Sequence, residues 1–198
     1  MKKGERTRQD IIETTAPLFN SRGFDGTSLS VLCEATGLTK GALYGNFSGK
    51  EELYKASFQY AMSKVRSSIR REVDMCSTNK EKLLAVVDFF ARHVFDSPVR
   101  GGCPLLNTAI EADDHHKSMK KLVTVELELT ISFLAQLIEN GKKGGEFLKN
   151  IKSREVALAV FCSIEGAIMF SRVSSSEEVM NVVVKNIKNQ INSICIEP

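Results

Sequence analysis

The stretch TGLTKGALYGNFSGKEELY, residues 36–54, holds four glycines and a Gly-Lys pair among hydroxyl side chains, the composition of a loop that wraps a phosphate. A nucleotide-binding phosphate loop requires Gly, four spacers, Gly-Lys and then Ser or Thr, so that amides, ammonium and hydroxyl converge on phosphate and magnesium. Counting back from Gly49-Lys50, the first glycine falls on Tyr44, and the residue after the lysine is Glu51. The nucleotide reading fails at both positions. A nucleic-acid backbone is left as the phosphate to consider.

The sequence around this stretch reads as helix throughout. No segment alternates apolar and polar residues between turn signals, and long segments repeat apolar residues every three or four positions, so an all-α chain is expected. A first helix over residues 6–21 places Ile12, Thr15, Ala16 and Phe19 inward, bends at Pro17 and stops at Gly23. Thr27 caps a short second helix that buries Leu29, Leu32 and Cys33 and stops at Gly37; Thr39 caps a third that buries Leu43 and Phe47. A fourth opens at Ser48, with Glu51 as its capping-box partner, and runs to about Val73. After a polar turn at residues 76–79, further helices are expected over residues 80–95, 104–112, 115–140, 153–171 and 176–194, with Pro104 at a first helical position and Cys103 at its cap. That makes nine helices in all. The last two each carry a continuous apolar seam, which either completes the monomer's core or pairs with a second chain.

Composition narrows the function classes. Residues 1–71 hold 12 Lys/Arg against 7 Asp/Glu and residues 72–198 hold 15 against 17, so positive charge collects in the first third. Such asymmetry suits a polyanionic partner, although a solvated helix face carrying extra lysines produces it equally. Five widely spaced cysteines without a CxxC pair fit neither a disulfide framework nor a structural zinc site. Asp88 and Glu165 interrupt the longest apolar segments and the first residues lack the apolar stretch of a secretory signal, so no membrane span and a cytoplasmic location are expected. No serine stands in a nucleophile elbow, HExxH is missing, and paired carboxylates such as Glu51-Glu52 fall at helix starts, so no enzyme and no cofactor are expected. Of the residues around His115-His116, only Glu111 and His115 share a helical face, so no metal site is expected either.

A short helix, a glycine turn and a second short helix beside a basic N-terminus are the features of a helix-turn-helix, whose second helix lies in the major groove. Gly41 and Gly45 lie on the outward face of that helix, where a missing side chain lets backbone approach DNA, at about 1 kcal/mol of helix propensity each relative to Ala.

Residues 4–54 carry Leu18-Phe19, Gly23-Phe24, Thr27, Ala35-Thr36-Gly37, Gly41-Ala42-Leu43-Tyr44, Phe47, Lys50-Glu51 and Leu53 in order, and this segment resembles the N-terminal domain of the TetR family of transcriptional regulators. The remaining residues fit the family by helix number, helix length and the C-terminal seams. The resemblance implies phosphate contacts from Thr27, Tyr44 and Lys50, and base readout from Thr39, Lys40 and Asn46, with Gly41 and Gly45 permitting close approach. Where the family has a bulky residue after Tyr44 and often His next, this chain has Gly45-Asn46, so no operator preference is carried over. Lys2, Lys3, Arg6 and Arg8 add further phosphate or minor-groove contacts, or belong to a frayed terminus.

The resemblance also implies a helix-turn-helix domain over residues 1–50 and a helical ligand-binding and dimerisation domain over 51–198. It assigns the last two helices to a homodimer on a double-stranded operator, with recognition helices about 34 Å apart or a multiple of that. An unidentified small-molecule effector would change that spacing and release the DNA; most members of the family repress, so repression is what the resemblance implies. Phe89, Phe90, His93, Cys103, Asn107, Glu111, Phe133 and Glu165 are the candidate lining of the effector pocket, or core aromatics and surface polar groups. Cys103, at a helix start after two glycines, is either a redox- or electrophile-sensing thiol or an inert buried one. A helical scaffold that binds only protein would keep the seams and have no use for Tyr44 and Lys50.

Overall fold

The computed structural model describes residues 3–114 and 116–196 and is built of nine helices: α1 (Lys3–Arg22), α2 (Leu29–Thr36), α3 (Lys40–Tyr44), α4 (Lys50–Val73), α5 (Asn79–Arg92), α6 (Pro104–Asp114), α7 (Lys117–Lys143), α8 (Ser153–Ser174) and α9 (Glu178–Ser193). The expectations placed on Lys2, on the side chain of Lys3 and on His115 lie outside the described residues. Turn chemistry sets the boundaries. Gly23 and Gly37 stand after α1 and α2 at φ of 71° and 67°, where a Cβ is strained. Pro104 opens α6, as expected of a residue with no amide to leave unsatisfied. Thr78 and Glu81 form a reciprocal capping box at α5.

Packing divides the chain into two compact units. The first takes the residues up to Arg66 together with Ser97–Val123, and the second takes Ser67–Asp96 and the residues from Thr124 onwards. A functional division at residue 50 therefore falls inside the first unit, because α6 and the first part of α4 are packed with α1–α3. The core of this unit draws Ile11, Ala16 and Phe19 from α1, Leu32 from α2, Leu43 from α3 and Leu53 from α4. Thr15, Ala16 and Phe19 face inward as expected, while earlier in α1 Ile11 is buried and the neighbouring Ile12 only half-buried. The hydroxyls of Thr15 and Ser57, both buried, meet at 3.0 Å between α1 and α4, so the polar pair is satisfied away from water.

In the second unit α8 packs along α9, and α5 packs against both. The Glu146 carboxylate caps α5 from the α7–α8 connection, accepting the amides of Asn79 and Lys80 at 3.0 and 2.9 Å. Phe147 is fully buried beside Gly141, where a Cβ would lie 2.2 Å from its ring. The same connection pairs with the segment after α9 through an isolated antiparallel bridge between Phe147 and Cys195. One expectation is corrected here. The 22-residue α8 is, by length and composition alone, apolar enough to cross a membrane, Glu165 notwithstanding. Its apolar content serves two faces: Ala157, Val160, Ile164 and Ile168 are buried, while Leu158, Met169, Phe170 and Val173 are exposed.

Candidate nucleic-acid interface

α3 has five residues, too few to stand alone, so its neighbours hold it. Leu43 is fully buried beneath it and Phe47 follows at 2 % exposure, which fixes the inward face. Thr39 caps the helix, its hydroxyl accepting the Ala42 amide at 3.2 Å. The other face, Lys40, Gly41, Tyr44 and Gly45, is open to solvent. Gly41 is glycine without internal need, since a Cβ there meets nothing within 4 Å; at Gly45 a Cβ would make only ordinary contact, 3.4 Å from the Gly41 carbonyl. Asn46 is half-buried, and its amide donates to the Ala42 carbonyl at 3.0 Å, so in this state it closes the end of its own helix.

The placement of the expected phosphate contacts is mixed. Tyr44 and Lys50 border the open face, with the Lys50 ammonium 4.1 Å above the Phe24 ring. Thr27 is displaced from its expected role. It is fully buried, and its hydroxyl donates to the Gly23 carbonyl at 2.7 Å, so it neither caps α2 nor faces a phosphate. The cap is Ser28, whose exposed hydroxyl accepts the Val31 amide at 3.3 Å. Two adjacent hydroxyl residues offered the same cap chemistry, and packing at the α1 exit took the first one inward.

Arg8 and Glu52 are the residues that sequence reasoning misplaced. The Arg8 guanidinium lies 4.0 Å over the Phe47 ring, donates to the Asn46 carbonyl, and pairs with Glu52 at 2.6 Å. It is turned inward as a brace between α1, the end of α3 and α4. Glu52, not Glu51, is the partner of Ser48, accepting its amide at 2.7 Å and its hydroxyl at 2.8 Å. The helix begins at Lys50, one residue later than a Ser48 cap implies, which shifts the third helical position from Glu51 to Glu52. Glu51 instead pairs with Lys55 and accepts from Ser118. Two adjacent carboxylates three and four positions after Ser48 were the available signal for this arrangement.

The expected pocket residues fall in both units. Cys103, Asn107 and Glu111 belong to the first; Phe89, Phe90, His93, Phe133 and Glu165 belong to the second. In the first, Asn107 and Glu111 line an open cleft of about 260 Å³ with Asn20 and Tyr54. In the second, the Phe89 ring is buried and touches Phe90 and His93 at centroid distances of 5.4 and 4.6 Å. The His93 Nδ1 is bonded to the Asp96 carbonyl at 2.7 Å, and Phe133 is exposed on α7. Among the described residues no group of three or more His, Cys, Asp or Glu side chains is arranged to hold a metal ion.

The brace has a pH signature. The Ser48 amide, then the Arg8 guanidinium and the Ser48 hydroxyl, bring the Glu52 carboxyl from its ordinary 4.5 down to about 2. A carboxyl depressed by folding stabilises the fold above its unfolded value, and that contribution disappears as pH falls through the folded value. Wild-type protein should therefore be more stable than Glu52→Gln at neutral pH, with the gap closing between pH 4.5 and about 2, as read from urea midpoints across that window.

Residues 11–57 match the family "Bacterial regulatory proteins, tetR family", and residues 79–187 match "Tetracyclin repressor-like, C-terminal domain". A TetR-family transcriptional regulator from Cytophaga hutchinsonii is 37% identical over 100% of this chain and 99% of its own, with a TM-score of 0.94. A TetR transcriptional regulator from Chloroflexus aurantiacus is 31% identical over 98% of both chains, also with a TM-score of 0.94. The Escherichia coli repressor NemR is 22% identical over 93% of this chain and 94% of its own. With both halves matched in order and whole-length relatives that are transcriptional regulators, the chain belongs to the TetR family of helix-turn-helix transcriptional regulators.

Proposed function

We propose that this regulator is a cytoplasmic, ligand-responsive repressor that binds a palindromic operator as a homodimer. The observation that carries the reading is the outward face of α3: its glycines are unclaimed by the fold, and Thr39, Lys40, Tyr44 and Lys50 surround them. Backbone that close to solvent suits entry into a groove, with Tyr44, Lys50 and Ser28 on phosphates and Thr39, Lys40 and, once released from Ala42, Asn46 at base edges.

The dimer is supported by α8 and α9. Leu158, Cys162, Gly166, Met169 and Val173 line one exposed stripe at helical spacing, and Val182 of α9 is 55% exposed. Apolar faces of this extent on two packed helices are the material of a four-helix interface with a second copy. The aromatic group Phe89, Phe90 and His93, with Phe133 and Glu165, remains our candidate for effector recognition in the second unit; an effector that releases DNA must prefer the non-binding arrangement by a few kcal/mol.

A second reading keeps the same regulator and makes Cys103 its sensor. Its support is position: the half-buried thiol directly precedes the 11-residue α6, after Gly101 and Gly102 at φ of 122° and 99°. NemR, which is similar in fold, has been solved in a reduced form. In this reading Cys103 reacts with a mild alkylator faster than Cys195, as resolved by mass spectrometry of each thiol; equal rates remove it.

Selection of duplexes from a random pool tests the main reading. A pseudo-palindrome with half-sites about 34 Å apart, or a multiple, should be enriched. Lys50→Ala should weaken its binding without altering sequence preference and lower the slope of log K against log salt by about 1. No enrichment of any sequence overturns the proposal. Gly41→Ala should leave the free protein as stable as wild type or raise it by up to about 1 kcal/mol, since helix propensity rises and nothing is displaced. The same substitution should weaken binding of the selected duplex by about tenfold or more, measured by fluorescence anisotropy.

A further inference from the structure

Glu111 stands in the last turn of α6, and its carboxylate is spent on groups far away in sequence. Both oxygens accept the Phe24 amide, at 2.9 and 3.0 Å, and one also accepts the Tyr54 hydroxyl at 2.8 Å. The approach is close: a Cβ on Gly23 would lie 2.0 Å from the nearer carboxylate oxygen. Phe24 is the first residue past Gly23 and starts the link to α2. Its carbonyl accepts the Thr27 amide at 3.3 Å, and its ring packs on Tyr54 at 5.3 Å beneath the Lys50 ammonium. One side chain thus fixes the exit of α1, the approach to α2 and the first turns of α4.

Helix stability does not account for a carboxylate here. It lies in the last turn of α6 and just past the end of α1, the pole of both helix dipoles that disfavours negative charge. What it supplies is acceptor capacity for an amide and a phenol. Burial first, and then the bond to Glu111, keep the Tyr54 phenol proton well above its ordinary range, so Tyr54 remains a donor. A second tie lies one turn earlier on α6, where the Asn107 amide donates to the Asn20 carbonyl of α1 at 2.9 Å. Asn20 in turn donates to the Gly102 carbonyl at 3.1 Å.

We infer that Glu111 is a positioning residue for operator binding: by clamping Phe24 and Tyr54 to α6, it sets the angle at which α2, α3 and the Lys50 end of α4 meet DNA. The inference rests on the reading of α3 as the DNA-contacting helix and reassigns Glu111 from effector recognition to the clamp. Without the carboxylate, the Phe24 amide and the Tyr54 hydroxyl lose their shared acceptor, and the α1–α2 turn is no longer referenced to α6.

The test uses full-length Glu111→Ala, Glu111→Gln and Tyr54→Phe with the duplex selected by wild-type protein. Glu111→Ala should bind about tenfold more weakly at a temperature where its melting curve shows it fully folded. Amide exchange should quicken across residues 24–36 while α8 and α9 keep their wild-type protection, a pattern that general destabilisation would not give. Glu111→Gln, which keeps an acceptor for the Phe24 amide, should stay within about threefold of wild type. With a duplex in hand both changes in Glu111→Ala are required, and unchanged binding or unchanged exchange overturns the inference. Should that variant fail to fold, Tyr54→Phe, which keeps its ring between Phe19 and Phe24, decides by the same two readouts. If wild-type protein selects no duplex, the proposed function falls, and exchange in the variants still decides the role of Glu111.

Discussion

A helix of five residues cannot choose its own orientation. α3 gains too few backbone hydrogen bonds to persist without support, so the burial of Leu43 and Phe47 both forms it and aims it. Because side chains around a helix are fixed in angle, sinking Leu43 inward turns Gly41 and Tyr44 away from the core, and Lys40 in the first turn is exposed as well. The architecture of the first unit serves this arrangement: Thr39 closes the start of the helix, and Arg8 ties its end to α4. The protein's own atoms would accept a side chain at either of the two outward glycines.

Charge is used on both sides of this helix for different ends. Arg8, on the inner side, is consumed by Glu52 and the Phe47 ring, so its contribution to the basic N-terminal third is structural. Lys40 is exposed and Lys50 half-buried at the outer side. A net charge counted along the sequence cannot separate the two uses. In the second unit the corresponding division is between apolar faces: α8 buries one against α9 and α5 and leaves another uncovered, which is why its composition reaches that of a membrane span.

Features set by local chemistry were legible in the sequence. Gly23 and Gly37 sit at left-handed helix ends, Thr39 caps α3, Pro104 opens α6, and nine helices appear in the expected order among the described residues. What escaped depended on a choice between neighbours or on distance along the chain. Thr27 and Ser28 offer equal capping chemistry, as Glu51 and Glu52 do, and only the packed structure decides which of each pair turns inward or reaches back. Ile11 and Ile12 are adjacent apolar residues of α1, and periodicity does not resolve which of them is buried. The Glu111 contacts join residues 57 and 87 positions apart, and no local pattern announces such a pairing. The outward face of α3 was therefore more legible than the groups that hold it in place.

The central claim is that the outward face of α3 meets duplex DNA. Tyr44, 36% exposed beside Gly41 and Gly45, is a natural probe of that face, and Met75, 86% exposed beyond the end of α4, is a reference on the same chain. Hydroxyl-radical labelling read by mass spectrometry, with and without a saturating selected duplex, reports on both residues in one experiment. The account predicts that Tyr44 becomes protected while Met75 is oxidised as before. Equal oxidation of Tyr44 in the free and DNA-bound protein would contradict it.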